Sequence, residues 1–128
     1  MNTKHVDVVV VITTGKSDRG MRATIALGWA CTALALGKTV SVFLTMDGAT
    51  WAARGAADGV QVEGFEPIHA YLEQFFSLGG ELLVCAPCTK FYCGRRDGQE
   101  NALIPGVRIA GLSSVVSLAG TQTQVITF

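Results

Sequence analysis

Blocks of apolar residues alternate with polar loops along the chain, and their patterns predict strands and helices in turn. Residues 6–13 are almost all β-branched, which is typical of a strand buried on both faces, and we predict that this is the central strand. Residues 21–36 are rich in Ala, Leu and Ile and stop at Gly37, which predicts a helix. Residues 39–45 are apolar enough to predict a second interior strand.

The second half of the chain continues the alternation. Large apolar side chains recur at helical spacing in residues 67–78 and predict a helix that packs on the sheet. Residues 49–57 are rich in Ala and predict a short helix, whereas residues 58–64 predict an exposed excursion or a minor strand pair. Further strands are predicted at residues 81–85, 106–110 and 124–128, with helices after the first of them and at residues 112–118.

Strands that alternate with helices predict an α/β fold. We expect a single domain over residues 1–128, built as a three-layer α/β/α sandwich with a mainly parallel sheet of about five strands. Ligands of such sheets bind beyond the carboxyl ends of the strands. The loops at residues 14–20, 46–50 and 85–88 would meet at that edge, so we expect a functional site there.

Two cysteines stand where the third predicted strand ends, in the segment LLVCAPC at residues 82–88. Pro87 is well placed to open a helix, so Cys85 would end the strand and Cys88 would lie in the first helical turn. Free N–H groups and the helix dipole favour an anion at such a position, and a thiol there ionises more easily. Because the thiolate is the nucleophile, this pair is the candidate reactive site.

The cysteine pair is open to four interpretations. It could carry a persulfide, which needs one accessible and readily ionised thiol. It could also act as a redox dithiol, although the thioredoxin-like fold carries its pair after an early strand of a shorter chain and not behind two complete βα units. A metal site would draw on Cys85, Cys88 and Cys93, with only His69 and Cys31 available as a fourth ligand and neither at a diagnostic spacing. The last interpretation is structural, because cysteine is also a small apolar residue.

Other residues near the pair are candidates for a supporting role. Asp47 directly follows the second strand, although Asp-Gly is often only a turn. Lys90 and Arg95 follow the pair on the predicted helix, and Cys93 lies on it as either a surface thiol or a part of the site. No cofactor is predicted, because the Gly15-Lys16-Ser17 step lacks the glycine that a phosphate loop requires five positions earlier.

Composition narrows the functional classes. Ten basic and ten acidic residues cancel, which argues against binding nucleic acid or a membrane surface by bulk charge. No apolar run is long enough to span a bilayer, and Asp7 interrupts the N-terminal segment, so we expect a cytoplasmic protein with reduced thiols. An apolar fraction of 49% with 16% charged residues predicts surface hidden in an oligomer.

The chain as a whole resembles the DsrE/DsrF-like family of sulfur-relay proteins. The resemblance rests on the Val-rich first strand, on FLTMDG at residues 43–48, on LLVCAPC at residues 82–88, and on the closing segments at residues 107–112 and 125–128. It implies an α/β/α fold that forms homo- or hetero-trimers and hexamers, and a possible sulfurtransferase or sulfur carrier with protein donors and acceptors.

The resemblance also implies roles for individual residues. Relay members accept sulfane sulfur as a persulfide on a cysteine at the end of the third major strand, which corresponds to Cys85. Cys88 would assist or resolve, and Lys90, Arg95 or Arg96 would stabilise the anion. One departure is that relay members often carry an Arg-Gly step soon after the cysteine, whereas here the arginines come later and Asp97 follows them. The alternative is a non-catalytic ligand-binding or assembly subunit of the same fold.

Overall fold

A computed structural model describes residues 4–93 and 102–128, and the chain folds around one five-stranded sheet. The strands are β1 (Val8–Ile12), β2 (Val40–Leu44), β3 (Glu81–Cys85), β4 (Arg108–Ala110) and β5 (Gln124–Thr127). The helices are α1 (Met21–Ala35), α2 (Ile68–Ser77), α3 (Cys88–Tyr92) and α4 (Leu112–Val116), with 3₁₀ helices at Lys16–Asp18 and Met46–Ala52. Within the described residues, no helix combines the length and the apolarity needed to cross a bilayer.

All neighbouring strands of the sheet are parallel, in the order β4-β3-β2-β1-β5. The predicted α/β fold with a parallel sheet of five strands is therefore confirmed. The prediction that the first strand is central was wrong, because β5 pairs with the outer side of β1 and leaves β2 in the middle. Both strands are buried and mostly apolar, with Ser41 as the polar residue of β2, so the pattern could not rank one interior strand against the other.

The crossover connections distribute the helices over the sheet. Helix α1 packs on β1 and β2 and also contacts α2, so the first two crossover helices share one face. The connection from β4 to β5 crosses the sheet in the opposite direction, and a right-handed crossover then places α4 on the other face. Because strands alternate with helices along the chain, the loops after β1, β2 and β3 all emerge at one edge, as predicted.

The segment after β2 differs from the prediction. A 3₁₀ helix covers Met46–Ala52, whereas a helix was expected at residues 49–57 and a turn at Asp47. Within this helix Gly48 lies against the main chain of β1, where a Cβ would overlap the carbonyl oxygen of Ile12. Residues 58–64 form turns with an isolated bridge from Gln61 to Pro67, not a strand pair.

Candidate functional site

The segments that follow β2 and β3 pack together at the carboxyl edge of the sheet. Leu44 lies opposite Val84 in the ladder, and the residues that follow them in the chain are Thr45 and Cys85. Helix α3 contacts the 3₁₀ helix Met46–Ala52. The structure thus brings the loop after β2 and the cysteine segment into one site, as the sequence predicts.

Cys88 is the first residue of α3, and its sulfur lies against the loop after β2. The Met46 N–H donates to the Cys88 Sγ at 3.2 Å, and the Thr45 Oγ1 lies 3.8 Å from the same sulfur. Hydrogen bonds to a charged group are stronger than those to a neutral one, so the Met46 N–H stabilises negative charge that develops on this sulfur during a reaction. Cys88 is 6% exposed, so little water competes with that contact.

The backbone of Met46 leaves its N–H free for this contact. Met46 has a φ of 52°, a left-handed conformation that costs a non-glycine residue roughly 1 kcal/mol. The following turn is closed by the Gly48 N–H, which donates to the Thr45 carbonyl at 2.9 Å. The first N–H groups of a helix have no partner within it, and here the cysteine sulfur supplies one.

Cys85 ends β3 and has different surroundings. It lies opposite Ala110 in the ladder with β4 and is 7% exposed. In the part of the chain that the structure describes, the other three cysteines have hydrogen-bonded sulfurs: Cys88 Sγ accepts from Met46, and the thiols of Cys31 and Cys93 donate to carbonyl oxygens. The expected helix dipole offers little to either thiol of the pair, because α3 has only five residues.

Cys93 was predicted to lie within the helix after the cysteine pair. In the structure it directly follows the last residue of α3. Its thiol donates to the Ala49 carbonyl at 3.0 Å. Burial, with a smaller contribution from the charge of Cys88, raises the pKa of Cys93 to about 11. Cys93 therefore keeps its proton and joins the end of α3 to the 3₁₀ helix. Cys31 lies in the core, and its thiol donates to the Tyr71 carbonyl at 3.4 Å.

Asp47 is exposed and faces a tyrosine that the sequence analysis missed. Hydrogen bonding to the Asp47 carboxylate, then its charge, a small burial effect and the charge of Cys88 raise the pKa of Tyr92. Cys88 and Tyr92 are four positions apart in α3, a spacing that puts two side chains on one side of a helix. This spacing was the signal that could have identified Tyr92.

Of the remaining predicted residues, the structure describes Lys90 and does not bring it to the sulfur. Lys90 is exposed and lies two positions after Cys88, a spacing at which helical side chains do not face each other. Arg95 and Arg96 lie outside the described residues. Within residues 4–93 and 102–128, no group of three or more His, Cys, Asp and Glu side chains is placed to hold a metal ion.

Comparison with known proteins gives both a family and a fold. The sequence model of the DsrE/DsrF-like family matches residues 7–128. The uncharacterized protein MK0008 of Methanopyrus kandleri is 31% identical over 123 residues, which cover 96% of this chain and 95% of that protein. The uncharacterized protein MJ0989 of Methanocaldococcus jannaschii is 30% identical over 107 residues, which cover 84% of this chain and 87% of that protein. The crystal structure of the ychN protein from E. coli has a TM-score of 0.70 at 20% identity, covering 95% of this chain and 98% of that one, which shows a shared fold.

Proposed function

The chain belongs to the DsrE/DsrF-like family, and we propose that it is a sulfur-relay protein that accepts sulfane sulfur as a persulfide at the Cys85 and Cys88 pair and passes it to a partner protein. The observation that carries this proposal is the hydrogen bond of 3.2 Å from the Met46 N–H to the Cys88 sulfur. An N–H donor at this distance stabilises negative charge on the sulfur as it attacks.

The chemistry is a transfer of one sulfur atom between thiols. A cysteine thiolate attacks the terminal sulfur of a donor persulfide, a new S–S bond forms, and the donor's own S–S bond breaks. The donor leaves as a thiolate with the electron pair, so the transfer needs no oxidant or reductant. Delivery to an acceptor thiolate repeats the same step in the other direction, with the protein as the donor.

Two lines of reasoning bear on which cysteine takes up the sulfur. The position of Cys85 at the end of β3 corresponds to the acceptor of the relay members, with Cys88 assisting or resolving. The hydrogen bonds around the two sulfurs favour Cys88 instead. Thr45 neighbours both, since it follows the β2 residue opposite Val84 and its hydroxyl lies 3.8 Å from the Cys88 sulfur.

We further propose that the protein works as a homo-oligomer, a trimer or a hexamer, in the cytoplasm, with separate proteins as sulfur donor and acceptor. Large apolar side chains on the surface support an assembly: Leu36 is 74% exposed, Val116 71% and Phe91 84%. Light scattering after size-exclusion chromatography would measure the mass in solution. A monomer across the micromolar range would contradict this part of the proposal.

Intact-mass spectrometry after brief exposure to inorganic polysulfide tests the proposed function. The wild-type protein should gain sulfur, and a Cys85→Ser/Cys88→Ser double variant should gain none. Cys31→Ser is the matched control, because that cysteine is in the core, and it should load like the wild type. A double variant that loads as fully as the wild type would rule out the pair as the carrier.

One observation favours the second candidate, a non-catalytic ligand-binding or assembly subunit. Both cysteines of the pair are buried, at 7% and 6% exposure, as expected for residues that serve packing. Slow alkylation of all four cysteines at similar rates, without sulfur uptake, would favour that candidate. Loss of two hydrogens across Cys85 and Cys88 would instead indicate a thiol-disulfide redox protein.

A further inference from the structure

The two cysteines of the pair differ in what their sulfurs contact. Cys88 Sγ accepts from the Met46 N–H at 3.2 Å and lies 3.8 Å from the Thr45 hydroxyl. Cys85 has neither contact, although the two cysteines are almost equally buried. Burial alone therefore does not distinguish the two thiols, and the difference lies in the donors.

The donors are fixed in place by the surrounding structure. Gly48 lies against the main chain of β1, and the Cys93 thiol donates to the Ala49 carbonyl at 3.0 Å. These contacts fasten the 3₁₀ helix to the sheet on one side and to α3 on the other. The Met46 N–H is consequently held at the sulfur before any substrate arrives, which is the arrangement that stabilises developing charge at least cost.

We infer that Cys88, and not Cys85, is the cysteine that takes up the sulfur, with the Met46 N–H and the Thr45 hydroxyl as the groups that hold its sulfur. This inference rests on the proposed function. The Cys88 thiolate attacks the terminal sulfur of the incoming persulfide, the Cys88 Sγ to sulfane bond forms, and the donor's S–S bond breaks. The donor thiolate leaves with the electron pair.

The assignment reverses the roles that chain position suggests. Cys85 becomes a neighbour of the loaded thiol instead of its carrier, one position after Val84, which pairs with Leu44 of the adjacent strand. Replacing Cys88 with serine should abolish sulfur uptake, whereas Cys31→Ser, which changes a core cysteine, should load like the wild type. Chain position alone predicts that the Cys88→Ser variant still takes up sulfur, on Cys85.

Two measurements on the full-length protein test the inference. The first is loading with inorganic polysulfide followed by fragmentation of the peptide between Ala86 and Pro87, which separates the two cysteines in the unsubstituted chain. The added sulfur should lie on the Cys88 side. Because this localisation uses the wild type, it stands even if a serine variant does not fold.

The second measurement is the rate of iodoacetamide alkylation of each cysteine at pH 7, which needs no sulfur donor. Cys88 should react at least about tenfold faster than Cys85, because the Met46 N–H stabilises charge on the Cys88 sulfur and does not contact that of Cys85. A Thr45→Val variant keeps the main-chain N–H and removes only the hydroxyl, so it should slow Cys88 by roughly twofold. A purely structural role for the N–H contact would leave the rates of Cys85 and Cys88 alike.

The outcomes separate this inference from the proposed function. Sulfur on the Cys85 side, with Cys85 alkylated faster, overturns the inference and leaves the sulfur-relay function in place. No sulfur on either cysteine overturns both. Sulfur on Cys88 together with fast alkylation of Cys88 is the result we expect.

Discussion

The close contact of Gly48 with the first strand gives a sharp test of how the site is built. An alanine Cβ at this position would overlap the carbonyl oxygen of Ile12 and lie 2.7 Å from its carbonyl carbon. These are main-chain atoms of β1, an interior strand, so no side-chain rotation can relieve the overlap. Gly48→Ala therefore has to push the 3₁₀ helix away from the sheet.

The expected magnitude follows from the kind of atoms involved. Overpacking a core typically costs about 1–3 kcal/mol, and we expect the upper end, about 3 kcal/mol, because a backbone must move. For a domain of this size 1 kcal/mol corresponds to roughly 3–5 °C in Tm, so the Tm should fall by about 10 °C. Helix propensity alone predicts the opposite sign, a gain of up to about 1 kcal/mol for Gly to Ala.

Thermal unfolding followed by circular dichroism would measure this effect. Gly28→Ala is the matched control, because Gly28 lies within α1 and the nearest atom to its added Cβ is 3.9 Å away. That variant should gain about 0.5–1 kcal/mol. In Gly48→Ala, displacement of the Met46 N–H should also slow the alkylation of Cys88. An unchanged or raised Tm for Gly48→Ala would refute the packing argument.

Three further predictions follow from individual contacts. Asp47→Asn should lower the pKa of Tyr92, because it removes the carboxylate that raises it; tyrosinate absorbance against pH measures this. Burial raises the pKa of Cys31 and Cys93 from 9.0 to about 11, so the folded state holds these protons more tightly, and the free energy of unfolding should fall from pH 9 to pH 11. Trp51 is 1% exposed and its indole N–H donates to a main-chain carbonyl at 2.9 Å, so Trp51→Phe should cost about 2 kcal/mol in urea unfolding.

Each of these predictions has a control within the chain. A Tyr92→Phe variant assigns the titration, since Tyr71 is the second tyrosine. For the pH effect, a Cys31→Ala/Cys93→Ala variant should lose the part of the slope between pH 9 and pH 11 that the two thiols contribute. An identical slope in the variant would contradict their assignment. Trp51→Phe with unchanged stability would show that the indole N–H contributes nothing.

Much of the fold was predictable because glycine and proline residues stand next to the ends of predicted strands and helices. The strand Glu81–Cys85 was predicted to the residue, since glycines precede it and Pro87 follows it. The order of the strands was harder, because β1 and β2 are both strongly apolar and only the long return to β5 decides which one is central. Residues 49–57 were mispredicted because alanines suit a helix, whereas the close approach of Gly48 to β1 is a tertiary contact that the alanine pattern does not show.

The site was predictable in its side chains and not in its main chain. The positions of Asp47, Cys88 and Cys93 at one edge followed from parallel strand ends. The Met46 N–H could not be predicted, because every residue but proline carries that group and a left-handed methionine has no signature in the sequence. Tyr92 could have been predicted, because it lies four positions after Cys88 in the predicted helix, a spacing that puts two side chains on one side of a helix.

The strained backbone at Met46 bears on whether Cys88 has a chemical role. A left-handed methionine costs roughly 1 kcal/mol and persists only where the surrounding structure holds it. Glycine adopts this conformation without that cost, so folding stability alone does not account for a methionine at this turn. The strain keeps one N–H at one sulfur, while among residues 4–93 and 102–128 no such donor reaches Cys85, three positions earlier. That asymmetry is more easily explained by a reaction at Cys88 than by packing, which would treat the two buried thiols alike.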